Sequence, residues 1–186
     1  MRRNVIVIGA SAGGVEALCA VVATLPIDLA AAVLVVLHIP SDGHSVLPAI
    51  LGRAGPLPAR HPESGDLMRQ GVIYVAPPDH HLVIDDKRIL LTHGPREHGH
   101  RPAIDVLFRS AASSAGARVV AVVLSGVLDD GTAGLAAVAL GGGVTAVQDP
   151  ADAVYPDMPK SAMAHVHIDH VAAAAQLGEL LGGLCA

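Results

Sequence analysis

Apolar residues in this chain alternate between two kinds of run. Short blocks rich in Val, Ile and Leu at 5–8, 32–37, 72–75, 118–124 and 144–147 are almost free of polar interruption and predict strands. Between them, 13–24, 44–53, 102–115, 130–140, 158–164 and 172–184 carry helical patterns. In the first of these Val15, Leu18, Val22 and Leu25 share one face, and Pro26 stops the run. Strands without a polar face are buried on both sides, as in a parallel sheet. Repeated strand–helix units then imply crossovers that cover both faces. The runs 82–84 and 89–92 flank Asp85-Asp86 and predict an antiparallel hairpin, inserted or at an edge. Loops are expected at 40–43 and 55–58. The polar, histidine-rich stretch 95–101 reads as a surface loop, with Pro102 in the first turn of the next helix. The expected fold is α/β: a doubly wound, mostly parallel sheet with helices on both faces and a small hairpin. One domain over 1–186 is expected, since neither an internal repeat nor a linker interrupts the pattern.

Composition sharpens this. The hydrophobic fraction is 52%, aliphatic rather than aromatic, which suits a parallel sheet. The net charge of -5 comes without a basic block, which disfavours nucleic-acid binding. Cys19 and Cys185 make no disulfide framework, so a reducing cytoplasm is expected. Cys19 reads as a small buried hydrophobe, and Cys185, beside the C-terminus, as mobile. Arg2-Arg3, the apolar run after them and Ala10-Ser11-Ala12 mimic a signal peptide. That apolar run is shorter than a signal core of about 7–15 residues. The longest apolar run, 29–37, falls short of the roughly 20 residues that span a bilayer. Membrane insertion is therefore not expected.

Candidate chemistry begins at Gly9-Ala10-Ser11-Ala12-Gly13-Gly14, where a strand passes through a tight turn into a helix. Such a junction offers unpaired N–H groups and a positive helix end. The dinucleotide fingerprint needs glycine at its third position, where Ser11 stands. The phosphate-binding loop needs Lys after its last glycine, where Val15 stands. The strand 32–37 ends in His38, and Asp129-Asp130 precede Gly131 at the start of a helix. Doubly wound folds bind ligands beyond the carboxyl ends of their strands, where all three groups lie. A serine, a base and an orienting carboxylate on one rim is the set that ester hydrolysis needs. The plainer readings are a serine N-cap, a packed histidine and an Asp-Gly turn. His165, His167 and His170, like His93, His98 and His100, lack a recognised metal spacing, so neither metal nor cofactor is expected.

Nearly end to end, the chain resembles the catalytic domain of the CheB-type receptor protein-glutamate methylesterases of bacterial chemotaxis. The segments that carry the resemblance are Ile8 to Gly14, Leu37-His38-Ile39-Pro40, Ile73 to His81, Arg101 to Phe108, Ser125 to Gly131, Gly142 to Asp149 and Val154 to Pro159. The resemblance implies a triad of Ser11, His38 and Asp130, with Asp130 favoured over Asp129 because it directly precedes Gly131. It makes the backbone N–H groups of Ala12 and Val127 candidates for the oxyanion site. It implies hydrolysis of glutamate methyl esters to glutamate and methanol, with deamidation of receptor glutamines as related chemistry. The implied partners are the cytoplasmic helices of methylated chemoreceptors. The family's usual receiver domain is not expected in this chain, so an open site active without phosphorylation is expected unless a separate regulatory protein covers it. The family usually reads Gly-Met-Gly-x-Asp-Gly where this chain has Gly126-Val127-Leu128-Asp129-Asp130-Gly131. Leu cannot adopt φ > 0 as cheaply as Gly, so a displaced turn or altered specificity is expected there. A catalytically weak receptor- or partner-binding domain of the same fold is the main alternative, and a nucleotide-binding domain a more distant one.

Overall fold

Seven parallel strands form the centre of the structure, a computed structural model that describes residues 2–40 and 42–186. In chain order they are β1 (Val5–Ala10), β2 (Ala32–Leu37), β3 (Ala59–Arg60), β4 (Ile73–Val75), β7 (Val119–Val123), β8 (Val144–Gln148) and β9 (His170–Ala172). The spatial order is β3-β4-β2-β1-β7-β8-β9. The chain thus leaves β1 toward β2 on one side and later returns to its other side with β7. That reversal opens a crevice at the carboxyl ends of β1, β2 and β7. The remaining pair, β5 (His81–Asp85) and β6 (Arg88–Thr92), is the expected hairpin. It is inserted before a helix as a sheet of its own and takes no edge position in the main sheet.

The side-chain alternation of β1 explains the layers. Ile6 and Ile8 face a core closed by α1 (Gly14–Ala23), α2 (Leu47–Ala54) and α6 (Ala174–Cys185). Val5 and Val7 face the opposite core, closed by α3 (Ile104–Ala115), α4 (Thr132–Leu140), α5 (Asp157–His165) and the hairpin. All six β1 residues are buried. Each large aliphatic side chain so placed contributes about 1.5–3 kcal/mol, which is why the uninterrupted apolar blocks become central strands.

Several boundaries differ from expectation. The helix expected from 44 begins at Leu47, and the one expected from Pro102 begins at Ile104. Pro102 follows a cis peptide bond and lies before the helix. The helix expected from 130 begins at Thr132, which leaves Asp130 in the turn before it. β3 and β9 are strands of two and three residues, too short to leave a pattern. Ala172 therefore ends a strand instead of opening the last helix. Cys185 is buried in α6, with Arg2 Nε donating to its carbonyl at 3.2 Å, and is not a mobile end. Cys19 is partly buried against the α1 core. Of the loop expected at 40–43, Ser41 lies outside the described residues. Among the described residues no helix is long and apolar enough to cross a membrane.

Candidate active site

Ser11 follows β1 directly, and its N–H donates to the carbonyl of Ser125 at 2.9 Å, beyond the end of β7. Ser125 Oγ in turn donates to the Ala12 carbonyl at 2.7 Å. The turn is thus held from the neighbouring strand and not by the Ser11 hydroxyl. Gly13 has φ 70, and a Cβ there would lie 2.7 Å from Ser125 Oγ. A Cβ on Gly14 would lie 2.7 Å from both Ala10 Cβ and Leu37 Cδ1. These glycines serve close packing of strand, turn and helix, a need unrelated to phosphate.

His38 continues β2 by one residue, its N–H donating to the Ala10 carbonyl at 3.1 Å. Parallel pairing therefore sets the imidazole beside the serine. His38 Nδ1 lies 3.1 Å from Ser11 Oγ, and Nε2 lies 2.7 Å from Asp130 Oδ2. The His38 and Asp130 side chains are 5% and 2% exposed. An ionised Asp130 accepts from Nε2–H, which leaves Nδ1 with the lone pair that can accept the serine proton.

Asp130 is fixed from behind. Oδ2 also accepts the Ile104 N–H at 2.8 Å and Oδ1 accepts the Asp105 N–H at 2.9 Å, both at the start of α3. Burial alone pushes this carboxyl up, but the His38 and backbone hydrogen bonds outweigh it and hold Asp130 below the usual carboxylate value. Asp105 mirrors the arrangement. Its Oδ1 accepts the N–H groups of Gly131 and Gly134, at 3.0 and 2.6 Å, at the start of α4. Each carboxylate thus satisfies the orphan amides of the other's helix. Asp129, its neighbour, is 65% exposed and lies 3.6 Å from His98 Nδ1. Asp129→Asn is expected to leave turnover within about threefold of wild type, since surface changes away from the reacting groups rarely exceed about 0.5 kcal/mol. Steady-state turnover of the variant checks this.

The stretch 95–101 is a surface loop, as expected, and it also borders the site. The His100 ring stacks on His38 with centroids 3.6 Å apart and planes 6° from parallel. His98 Nε2 donates to Asp105 Oδ2 at 2.8 Å. Arg101 Nε and Nη2 reach Asp79 Oδ1 at 3.0 and 2.8 Å, and Nη1 donates to the Gly94 carbonyl. That guanidinium holds the Asp79 carboxyl below its usual range. The resemblance marks Arg101 to Phe108 as a motif, but local pattern assigns no role to His98, His100 or Asp105. Together Ser11, Ala12, His38, Arg96, His100 and Arg101 line a cleft of about 720 Å³.

The two backbone candidates flank the serine. The N–H of Ser11 is engaged, and that of Gly126 donates to the Tyr155 carbonyl at 2.9 Å. Among the described residues, the N–H groups of Ala12 and Val127 donate to no acceptor. A Cβ on Gly126 would lie 2.9 Å from Ser11 Cβ, so the strand of backbone leading to Val127 runs against the serine. Leu128 adopts φ 65 while Asp130 still reaches His38, with 66% of Leu128 exposed. The left-handed conformation costs a branched residue about 1–2 kcal/mol. Leu128→Gly is expected to raise the unfolding free energy by up to about 1 kcal/mol, the relief being partly offset by unfolded-chain entropy. Turnover should change by less than about tenfold, or about 1.4 kcal/mol in the barrier. Denaturant unfolding and steady-state rates check the pair.

Among the described residues, His98, Asp105 and Asp130 have ligand atoms within 4.8 Å of one another. Their proximity is accounted for by the hydrogen bonds above, each carboxylate already holding backbone amides and an imidazole. The histidines near the C-terminus serve elsewhere: His165 bonds the Ser161 carbonyl and His167 is 88% exposed.

Comparison with known proteins places this geometry in context. Residues 6–181 match the family model described as CheB methylesterase. A Methanospirillum hungatei protein named protein-glutamate methylesterase/protein-glutamine glutaminase 1 is 39% identical over 179 residues, or 91% of this chain and 52% of that protein. This chain therefore spans about half the length of that relative. A Leptospira interrogans protein named putative protein-glutamate methylesterase/protein-glutamine glutaminase is 34% identical over 97% of this chain and 94% of its own length. The crystal structure of the Thermotoga maritima CheB methylesterase catalytic domain superposes with a TM-score of 0.93 at 30% identity, covering 99% of this chain and 100% of that one.

Proposed function

The chain belongs to the CheB methylesterase family, and from that premise we propose that it hydrolyses glutamate methyl esters on chemoreceptors, with Ser11, His38 and Asp130 as its triad. The observation that carries this reading is the unbroken hydrogen-bonded series from Ser11 Oγ through His38 to Asp130, opening into a cleft. Ser11 Oγ attacks the ester carbonyl while His38 Nδ1 takes its proton. The imidazolium so formed keeps its Nε2–H on Asp130, whose charge stabilises it. The N–H groups of Ala12 and Val127 are the donors for the carbonyl oxygen as it becomes an oxyanion. Collapse of the tetrahedral intermediate expels methanol, which takes the proton from His38 and leaves a glutamyl ester on Ser11. Water, deprotonated by His38, then attacks that ester and releases glutamate and the free serine. With a glutamine side chain the same steps expel ammonia.

The substrate is a side chain on the cytoplasmic helices of a methylated receptor, and residues 1–186 act as one catalytic unit in the cytoplasm. A weak partner-binding domain is not favoured, because His38 and Asp130 are buried, the series is tautomerically consistent and Ser11 and His38 line the cleft. Purified chain incubated with methylated receptor should release methanol in proportion to enzyme. Receptor binding without methanol release would overturn the hydrolase reading.

A further inference from the structure

One short turn places an imidazole on each side of the buried acid. Glu97 and His100 exchange backbone hydrogen bonds at 3.1 and 2.8 Å, with His98 and Gly99 as the two residues between them. Both have positive φ, 51 and 77. A two-residue turn of this kind suits Asn or Gly at the first position, and histidine is one of the few other residues that enter the left-handed region, at a smaller cost than most. Such strain persists only where surrounding contacts over-determine it. Here the visible contact is the bond from His98 Nε2 to Asp105 Oδ2, an oxygen of a carboxylate that is 1% exposed. The same turn delivers His100 onto the face of His38.

We propose that His98 is a positioning residue: its hydrogen bond to Asp105 anchors the 97–100 turn and so keeps His100 stacked on His38, in register with Ser11 and Asp130. The proposal rests on the hydrolase reading above. The anchor is well placed because Asp105 itself is clamped to α4 by Gly131 and Gly134, and its N–H holds Asp130. A shift of the turn would reach His38 through the stacked ring, while the carboxylates stay with their helices.

Charge strengthens the anchor. Asp105 and Asp130 are two buried carboxylates near one another, an arrangement that calls for a nearby cation. The groups that face His98 are Asp105 from α3, Asp129 and Asp130 from the turn before α4, at 2.8, 3.6 and 3.9 Å, and His165 across the hollow from α5. On its own turn are Glu97, which is bound to Arg109, and His100. Burial alone would lower His98, but the three aspartates overcome it and raise its pKa above the ordinary histidine value of 6.5. The imidazolium therefore persists to higher pH than that of an ordinary histidine, and once it is lost Nδ1 turns a lone pair toward Asp129.

The test is the rate at which a fluorophosphonate labels Ser11, followed from about pH 6 to pH 9, a range that brackets histidine titration. Wild type should rise and then fall across this range. His98→Ala should label about tenfold more slowly near neutrality, the scale of a small misplacement of a reacting group. His98→Gln, which keeps a donor without a titratable charge, should restore most of that loss and remove the fall at high pH. Thermal melts of each variant separate this from unfolding, and if His98→Ala does not fold, the His98→Gln profile decides alone. Equal rates and profiles in wild type and His98→Ala would overturn the inference, as would a high-pH fall that survives in His98→Gln. Wild type that is not labelled at Ser11 at all would overturn the hydrolase reading and this inference with it.

Discussion

Ser11→Ala is expected to slow ester hydrolysis by at least about a thousandfold while leaving the fold and receptor binding in place. The hydroxyl's recorded partner is His38 Nδ1, so its loss removes the nucleophile and one outward-facing hydrogen bond. The turn keeps its ties, because the Ser11 N–H still meets the Ser125 carbonyl and Ser125 Oγ still meets the Ala12 carbonyl. The change should therefore appear in kcat and not in KM or the melting temperature. Methanol release from methylated receptor by the variant, measured beside wild type, decides it. Turnover close to wild type would mean that another group attacks the ester.

Asp130→Asn carries the second large effect, and it divides between rate and stability. The native carboxylate accepts three N–H groups: those of Ile104, Asp105 and His38. An amide has one oxygen, so one side must face a donor with a donor. If the NH₂ faces His38, Nε2 becomes the acceptor, the proton moves to Nδ1, where it blocks transfer from Ser11, and the Ile104 N–H, which shares that oxygen, loses its acceptor. If it faces Asp105, a buried N–H loses its acceptor at a cost of about 1–3 kcal/mol. Turnover should fall by about a thousandfold to ten-thousandfold, as expected when the imidazole takes the wrong tautomer. Stability against pH gives an independent signature. The Asp130 carboxyl titrates below its ordinary value in the folded state, so its stabilising contribution is complete above that ordinary value. The contribution is lost as pH falls through the lower folded value. In Asp130→Asn that part of the acid limb should vanish from denaturation curves taken between neutral and acid pH.

The parts of this molecule that sequence makes legible are those decided by local pattern. Ser11 and His38 stand at the ends of apolar blocks long enough to be recognised as central strands, and parallel pairing then forces them together. Asp130 is distinguished from Asp129 by its neighbour Gly131 and by family resemblance; its side chain is 2% exposed and meets His38 Nε2. The histidines at 98 and 100 were not legible. A run of charged and imidazole side chains ordinarily signals solvent, and the buried acceptors that reverse this inference lie on elements outside the run. Asp105 had the same difficulty, since its partners include a turn 26 residues away. Proline at 102 misled in another way: it resembles a first-turn residue, yet the helix starts at Ile104. Strands as short as Ala59–Arg60 exist only because a neighbour pairs with them.

The anchoring of Asp130 from behind separates two roles within one site. Its carboxylate takes its position from the amides of α3, whereas Val127, Leu128 and Asp129 face outward at 39%, 66% and 65% exposure. Substitutions among those three can remodel what the rim meets without moving the acid that serves the imidazole. Leu128 is an instance, a bulky residue lodged in a left-handed turn with the His38–Asp130 bond still at 2.7 Å. A lineage built on this scaffold can therefore drift toward new protein substrates through its outer turn while inheriting its chemistry unchanged.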